Sequence, residues 1–355
     1  MSRWLSPLMA FCLSFILIAG LAPSLGLMVD RQIDFWALWL GSMLILALPI
    51  AYLEIALAKR SKTTALNALS SLTRDADASS KWRIVGWMGC VFIPFLAGGI
   101  VSNTADLSLP YLQLGVEPVI ALLVCLLLSV ALSFVPRAIL LLLMMVGVLG
   151  SLLLANVMGT NLQAWHVTAI EFREWGNATI LALVATGLGL GLYWQSSLNA
   201  VQQHDAASKT VLPIWLAQLL AVIAFGYFGV STQLPAYSIL LTVIFAAALM
   251  IQLAQEQLQH RQVAVAVRYL IIVATLLIWL VPGIQMILNP VLMLVGLLIC
   301  LGYSIFVGWL MKISHLRKAM NFSSEAVYNI WRIAIRIVLP LAIVLAIVSL
   351  LGQFI

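Results

Sequence analysis

The chain has 355 residues, 64% hydrophobic and 8% charged, with a formal net charge of +6 and a mean hydropathy of +1.12. A soluble domain carries about 25% charged residues, so the composition excludes that class and describes a polytopic membrane protein. The positive charge is scattered along the chain and forms no concentrated basic surface, which excludes nucleic acid as a partner.

Apolar windows of about twenty residues, enough to cross a hydrocarbon core of roughly 30 Å, define the spans. Eleven occur, at 5–28, 35–58, 84–110, 118–135, 137–157, 177–198, 211–231, 236–256, 263–282, 286–311 and 329–352. The first carries Gly20-Leu-Ala-Pro23 in its interior, and the sixth carries Thr186-Gly-Leu-Gly-Leu-Gly191. Proline removes a backbone donor and each glycine costs about 1 kcal/mol in a helix, so both spans are predicted to unwind there. Unwound backbone in a bilayer is tolerated only where protein or a polar cavity surrounds it, which makes the two breaks the predicted binding site. They lie five spans apart, the spacing of two five-helix halves of inverted topology. One transmembrane domain over 1–355 follows, with repeat one at about 5–157, repeat two at about 177–311 and an extra C-terminal helix at about 329–352. The fold class is all-α. The first span lacks a small-residue cleavage site and is read as a retained helix. Hydrophilic stretches at 59–83 and 158–176 are the loops of any size, and the polar run 73–81 reads as flexible.

Cytoplasmic loops of membrane proteins are enriched in lysine and arginine. With a cytoplasmic amino terminus, sixteen of the eighteen basic residues fall inside, leaving Arg31 and Arg173 outside. The carboxyl terminus is then periplasmic if the short loops mark a bacterial inner-membrane protein. Cys12, Cys90, Cys125 and Cys300 all lie in apolar spans without metal-ligand spacing and read as packing residues. The four histidines stand singly, so no metal site is predicted. Neither paired carboxylates nor a nucleophile elbow nor a phosphate-binding loop occurs, so the chain is not read as an enzyme and no cofactor is expected. Six of the tryptophans, Trp4, Trp36, Trp39, Trp82, Trp87 and Trp331, lie near span ends and read as interface anchors.

Several segments are familiar. Leu48-Pro-Ile-Ala-Tyr-Leu-Glu54-Ile-Ala-Leu-Ala-Lys59-Arg60 resembles the second-helix signature of the neurotransmitter:sodium symporter family, and Ile93-Pro94 resembles the start of its third helix. Gly187-Leu-Gly189-Leu-Gly191 is similar to its broken sixth helix, with Tyr193-Trp-Gln-Ser-Ser-Leu-Asn199 following, and Tyr328-Asn-Ile-Trp-Arg332-Ile-Ala-Ile-Arg336-Ile-Val-Leu-Pro340 is similar to the entry of its eleventh. The pieces run in family order over nearly the whole chain. The resemblance implies a short, divergent bacterial member with broken helices 1 and 6, a substrate site between them and helices three and eight, rocking of one bundle against the rest, and sodium as the coupling ion. It also implies that Glu54 holds the unwound parts of helices one and six. A pairing of Glu54 with Lys59 and Arg60 is the alternative.

The family's ion ligands are poorly matched. Leu27 stands where an asparagine belongs in helix one, Ala185 beside Thr186 where a hydroxyl belongs in helix six, and Gln218 where an asparagine belongs in helix seven. Leu241 and Thr242, with Ser238 a turn earlier, stand for two ligands in helix eight. Leucine and alanine side chains supply no oxygen to a hard cation. Val101 replaces the family's substrate-contacting tyrosine, and Asp30 lies near the place of its gating arginine. In the third span Ser102 and Asp106 are one turn apart and share a face. Asp106 either binds a cationic group, carries a coupling proton, or marks a wet helix end.

The candidate substrate-binding residues are thus Gly20, Ala22, Pro23, Ser24, Gly26, Ser102, Asp106, Thr186, Gly187, Gly189 and Gly191, with Gln218, Ser238 and Thr242 as ion-coupling candidates and Glu54 as support. The function they predict is secondary transport of a small organic solute, an amino acid or amine by resemblance, driven by sodium or protons. The alternative is a transporter-fold membrane scaffold or regulatory subunit that has lost ion coupling.

Overall fold

The computed structural model describes residues 5–25, 32–113, 115–158, 164–193, 206–230 and 236–353. These residues are helical almost throughout, and one isolated bridge pairs Gln32 with His166. The helices are α1 (Leu5–Leu21), α2 (Ile33–Ser61), α3 (Ala65–Asp75), α4 (Arg83–Leu112), α5 (Pro118–Leu132), α6 (Arg137–Met158) and α7 (Phe172–Ala185). They continue as α8 (Ser208–Ala224), α9 (Ala236–His260), α10 (Val265–Leu277), α11 (Gln285–Ile305), α12 (Ile313–Met320) and α13 (Glu325–Leu351). Among the described residues seven helices are long and apolar enough to cross a membrane, and Leu5–Leu21, Pro118–Leu132 and Val265–Leu280 are shorter apolar helices. The chain is a multi-pass membrane protein. Helices suit that setting because every interior backbone group is satisfied within its own segment.

Two spans differ from their sequence windows. The first stops at Leu21, seven residues before 28, and continues as a 3-10 turn over Pro23–Leu25. Pro23 has no N–H to extend the ladder. The sixth begins earlier than 177, at Phe172, because Glu171 and Glu174 form a capping box in which each carboxylate accepts a backbone N–H.

The stretch 59–83 is not a loop. It contains α3, whose Leu66, Leu69 and Leu72 are buried. Thr64 Oγ1 and Asn67 Nδ2 both donate to Gln257 Oε1 on α9, at 2.6 and 2.8 Å, and Arg261 Nη2 donates to the Leu66 carbonyl at 2.7 Å. The run 73–81 is also tied down. Asp75 pairs with Arg60 at 3.1 Å and Asp77 with Lys312 at 2.8 Å, and the ammonium of Lys312 holds the Asp77 carboxyl below its ordinary value. Polar composition concealed this helix, because its apolar face is only three leucines wide.

Three tryptophans are not interface anchors. Trp36 and Trp39 stack at 5.0 Å in a buried aromatic cluster with Phe35, and Phe225 packs edge-on against Trp39. Trp331 is buried and donates to the Pro49 carbonyl at 3.2 Å.

The packing centres on α4 and α9, which lie along one another. Around that pair, α1 packs along α8 and α2 against α7. Next, α6 and α5 pack on α9, whereas α11 and α10 pack on α4, and α13 covers α7 and α11.

Candidate functional site

The second break is fully formed. Beyond Ala185 the chain leaves the helix, with positive φ at Gly187 (+73°), Leu188 (+57°), Gly189 (+76°) and Gly191 (+67°). Three glycines adopt this region without a Cβ penalty, while a leucine there costs roughly 1–2 kcal/mol. Every residue from 181 to 193 is buried, so the freed backbone groups need partners from the protein. Some are local: Gly187 N–H donates to the Val184 carbonyl at 2.9 Å and Leu188 N–H to that of Leu183 at 3.0 Å. Others are remote. The Ala185 carbonyl accepts from Ser14 Oγ of α1 at 2.5 Å and from the Tyr193 hydroxyl at 2.8 Å. Gly191 N–H donates to Glu54 Oε1 of α2 at 3.1 Å.

Glu54 is 1% exposed, and a carboxylate in an apolar span costs at least about 2.5 kcal/mol on insertion scales. Of the two basic residues in the alternative pairing, Arg60 pairs with Asp75. The Thr186 hydroxyl donates to its own helix end, the Leu183 carbonyl, at 2.7 Å.

The first break is built differently. Gly20 is still helical, and its carbonyl accepts from Asn103 Nδ2 of α4 at 3.1 Å. Ala22 is buried, whereas Pro23 and Ser24 are exposed, and Ser24 Oγ caps the helix by donating to the Leu21 carbonyl at 2.7 Å. Gly26, Leu27 and Asp30 lie outside the described residues.

Asn103, and not Ser102, is the α4 side chain that reaches the first break. It also exchanges two amide hydrogen bonds with Asn289 of α11, at 3.0 and 2.9 Å. Ser102 is buried and accepts from Gln285 Nε2 at 3.0 Å. Asp106, a turn further, is exposed and lines a separate cavity toward α5. The sequence run 102–106 contained all three, but helix rotation alone does not say which neighbour each side chain meets. Ser14 and Asn289 carried no signal beyond being polar residues in apolar spans, a pattern that usually marks interhelical hydrogen bonds, and Gln285 stood just outside one. Tyr193 stood in the quoted motif without an assigned role.

Each ion-coupling candidate has its own surroundings. Gln218 is buried on α8, and its Oε1 has no hydrogen-bond partner. Thr242 is buried against Gly147 of α6, where any Cβ would strike its hydroxyl. The Ser238 carbonyl accepts from Ser151 Oγ at 3.1 Å. Leu241 is 65% exposed and faces away from the bundle.

No family model and no curated protein sequence matches the chain. Among solved structures, the crystal structure of MhsT in complex with L-phenylalanine superposes with a TM-score of 0.65, over 98% of this chain and 98% of that one, at 15% identity. MhsT is a transporter of the neurotransmitter:sodium symporter family. The chain has the fold of that transporter. An identity of 15% carries the fold and not the ligand, so L-phenylalanine belongs to MhsT.

Proposed function

We propose that the chain is a secondary active transporter that moves a small organic solute, an amino acid or an amine, across the bacterial inner membrane by alternating access. A sodium or proton gradient drives it, and its amino terminus is cytoplasmic and its carboxyl terminus periplasmic. The observation that carries this reading is the buried, unwound segment Thr186–Tyr193, held at Ala185 by α1 and at Gly191 by Glu54 of α2. A half-helix ending inside the protein presents backbone dipoles to a solute without requiring a charged side chain. The solute contacts are the backbone of Thr186, Gly187, Gly189 and Gly191, together with Gly20, Ala22, Pro23, Ser24 and Gly26 across the first break.

The packing supports an inverted repeat of five and five spans, with α13 as the eleventh. Replacing each span by the one five places on exchanges α1 with α7, α2 with α8, α4 with α9, α5 with α10 and α6 with α11. The contact of α1 with α8 then becomes that of α7 with α2. Those of α9 with α6 and α5 become those of α4 with α11 and α10, and the α4–α9 contact maps onto itself. For the coupling cation, the partnerless Gln218 oxygen is the best-placed of the three side chains.

The scaffold reading draws on Leu241, turned outward, and on Thr242, packed closed against Gly147. Purified protein in liposomes, screened for solute uptake under separate sodium and proton gradients, separates the two. Transport predicts uptake that Gly189→Leu abolishes and Cys125→Ala retains. No uptake of any amino acid or amine by the folded protein rejects it in favour of the scaffold.

A further inference from the structure

Asp106 has no role in the breaks, and its surroundings have their own chemistry. It lines a cavity of about 330 Å³ with Leu109 and Pro110 of α4, Val116 of the connecting turn, and Pro118 and Ala121 of α5. Among the described residues the lining is thus apolar except for one carboxylate, the composition of a small-ligand pocket in which a single polar group fixes orientation. Asp106 takes part in none of the ion pairs or side-chain hydrogen bonds found among the described residues. From 84 to 136 the sequence holds no lysine, arginine or histidine, and its two carboxylates, Asp106 and Glu117, both belong to this end of the α4–α5 pair.

Asp106 lies six residues before the end of α4, roughly 9 Å inside the span at 1.5 Å per residue. The surface around the cavity is apolar and exposed: Leu107, Tyr111, Leu112, Val119 and Ile120 face outward. A ligand therefore enters from the lipid or from its boundary with water.

We propose that this cavity is a binding site for a monocationic amine with an apolar body, whose ammonium pairs with Asp106 while the body fills the space between α4 and α5. An inorganic cation needs several oxygen ligands, and the lining offers one carboxylate. A zwitterionic headgroup brings a phosphate, for which 84–136 supplies no basic partner. A single cation neutralises the one carboxylate that lines the cavity among the described residues. The site is independent of the transport reading, since it shares no residue with the breaks.

The test is equilibrium binding of radiolabelled octylammonium to the purified protein in phosphatidylcholine nanodiscs, with protein-free nanodiscs subtracted. Saturable binding is expected, weakened at least about tenfold in Asp106→Asn, the size of one charge-assisted hydrogen bond. Ala121→Trp keeps the carboxylate, fills the cavity and abolishes binding. Octanol, the neutral analogue, binds Asp106→Asn and the native protein equally. Equal octylammonium affinity in Asp106→Asn, or no saturable binding to the native protein, overturns the proposal. Loss of binding in proportion to added phosphatidylethanolamine also overturns it, by assigning the cavity to a lipid headgroup.

Discussion

The two helix breaks both interrupt apolar spans and solve different problems. At the first, α1 stops at Leu21, the exposed Ser24 caps the Leu21 carbonyl from three residues away, and Asn103 of α4 meets the Gly20 carbonyl. At the second, every residue is buried, and the freed groups are met by Ser14, 171 positions distant, and by Glu54, 137 positions distant. A break that opens onto exposed residues is completed in part locally. A break whose residues are all buried recruits polar side chains from other helices, because an unmet backbone group there costs several kcal/mol. The second break is therefore coupled to α1 and α2, and any motion of either helix is felt at Thr186–Tyr193.

The largest expected effect probes that difference in backbone conformation. Gly189→Leu places a side chain at φ +76°, with Cys300 Sγ and Ile50 Cγ2 within 4 Å of its Cβ. Positive φ and overpacking together cost about 3 kcal/mol, read as a lower thermal midpoint in detergent. An unchanged midpoint would mean that the buried segment is not rigidly held.

Glu54→Leu comes next. It leaves the Gly191 N–H buried without its acceptor, a loss of about 1–3 kcal/mol, while Glu54→Gln keeps an oxygen and recovers most of it. Equal stability of the two variants would remove Glu54 as the support of this segment.

Ser14→Ala and Tyr193→Phe each cost about 0.5–1.5 kcal/mol, since either hydroxyl still satisfies the Ala185 carbonyl when the other is gone. The double variant should lose more than the sum, because the carbonyl is then orphaned. Strict additivity in a double-mutant cycle would show that the two hydroxyls do not share it.

At the first break Ser24→Ala is the smallest change, within about 0.5 kcal/mol, as for other exposed positions. A loss as large as that of Glu54→Leu would erase the contrast between the two breaks.

The helix breaks were legible because glycine and proline act on the backbone directly. Gly187, Gly189 and Gly191 announced an unwound segment in an apolar span, and Glu54 stood out as a charge in one. The 3-10 turn at Pro23 follows from the missing N–H. Asp106 was just as visible, yet its cavity lies with α5 and not with the breaks. Ser102 faces Gln285, and Asn103 takes the place at Gly20. Helix α3 was hidden for a related reason: a short amphipathic helix in a polar stretch shows its apolar face only once Gln257 and Arg261 lie against it.

By itself the sequence determined the membrane class, the positions of most spans and the places where helices had to yield, since these depend on hydropathy and on properties of single residues. Only the tertiary structure decided which polar side chain completes which break. Those bonds join residues 83 to 171 positions apart, and a helix turning 100° per residue lets neighbours as close as Ser102 and Asn103 face different partners.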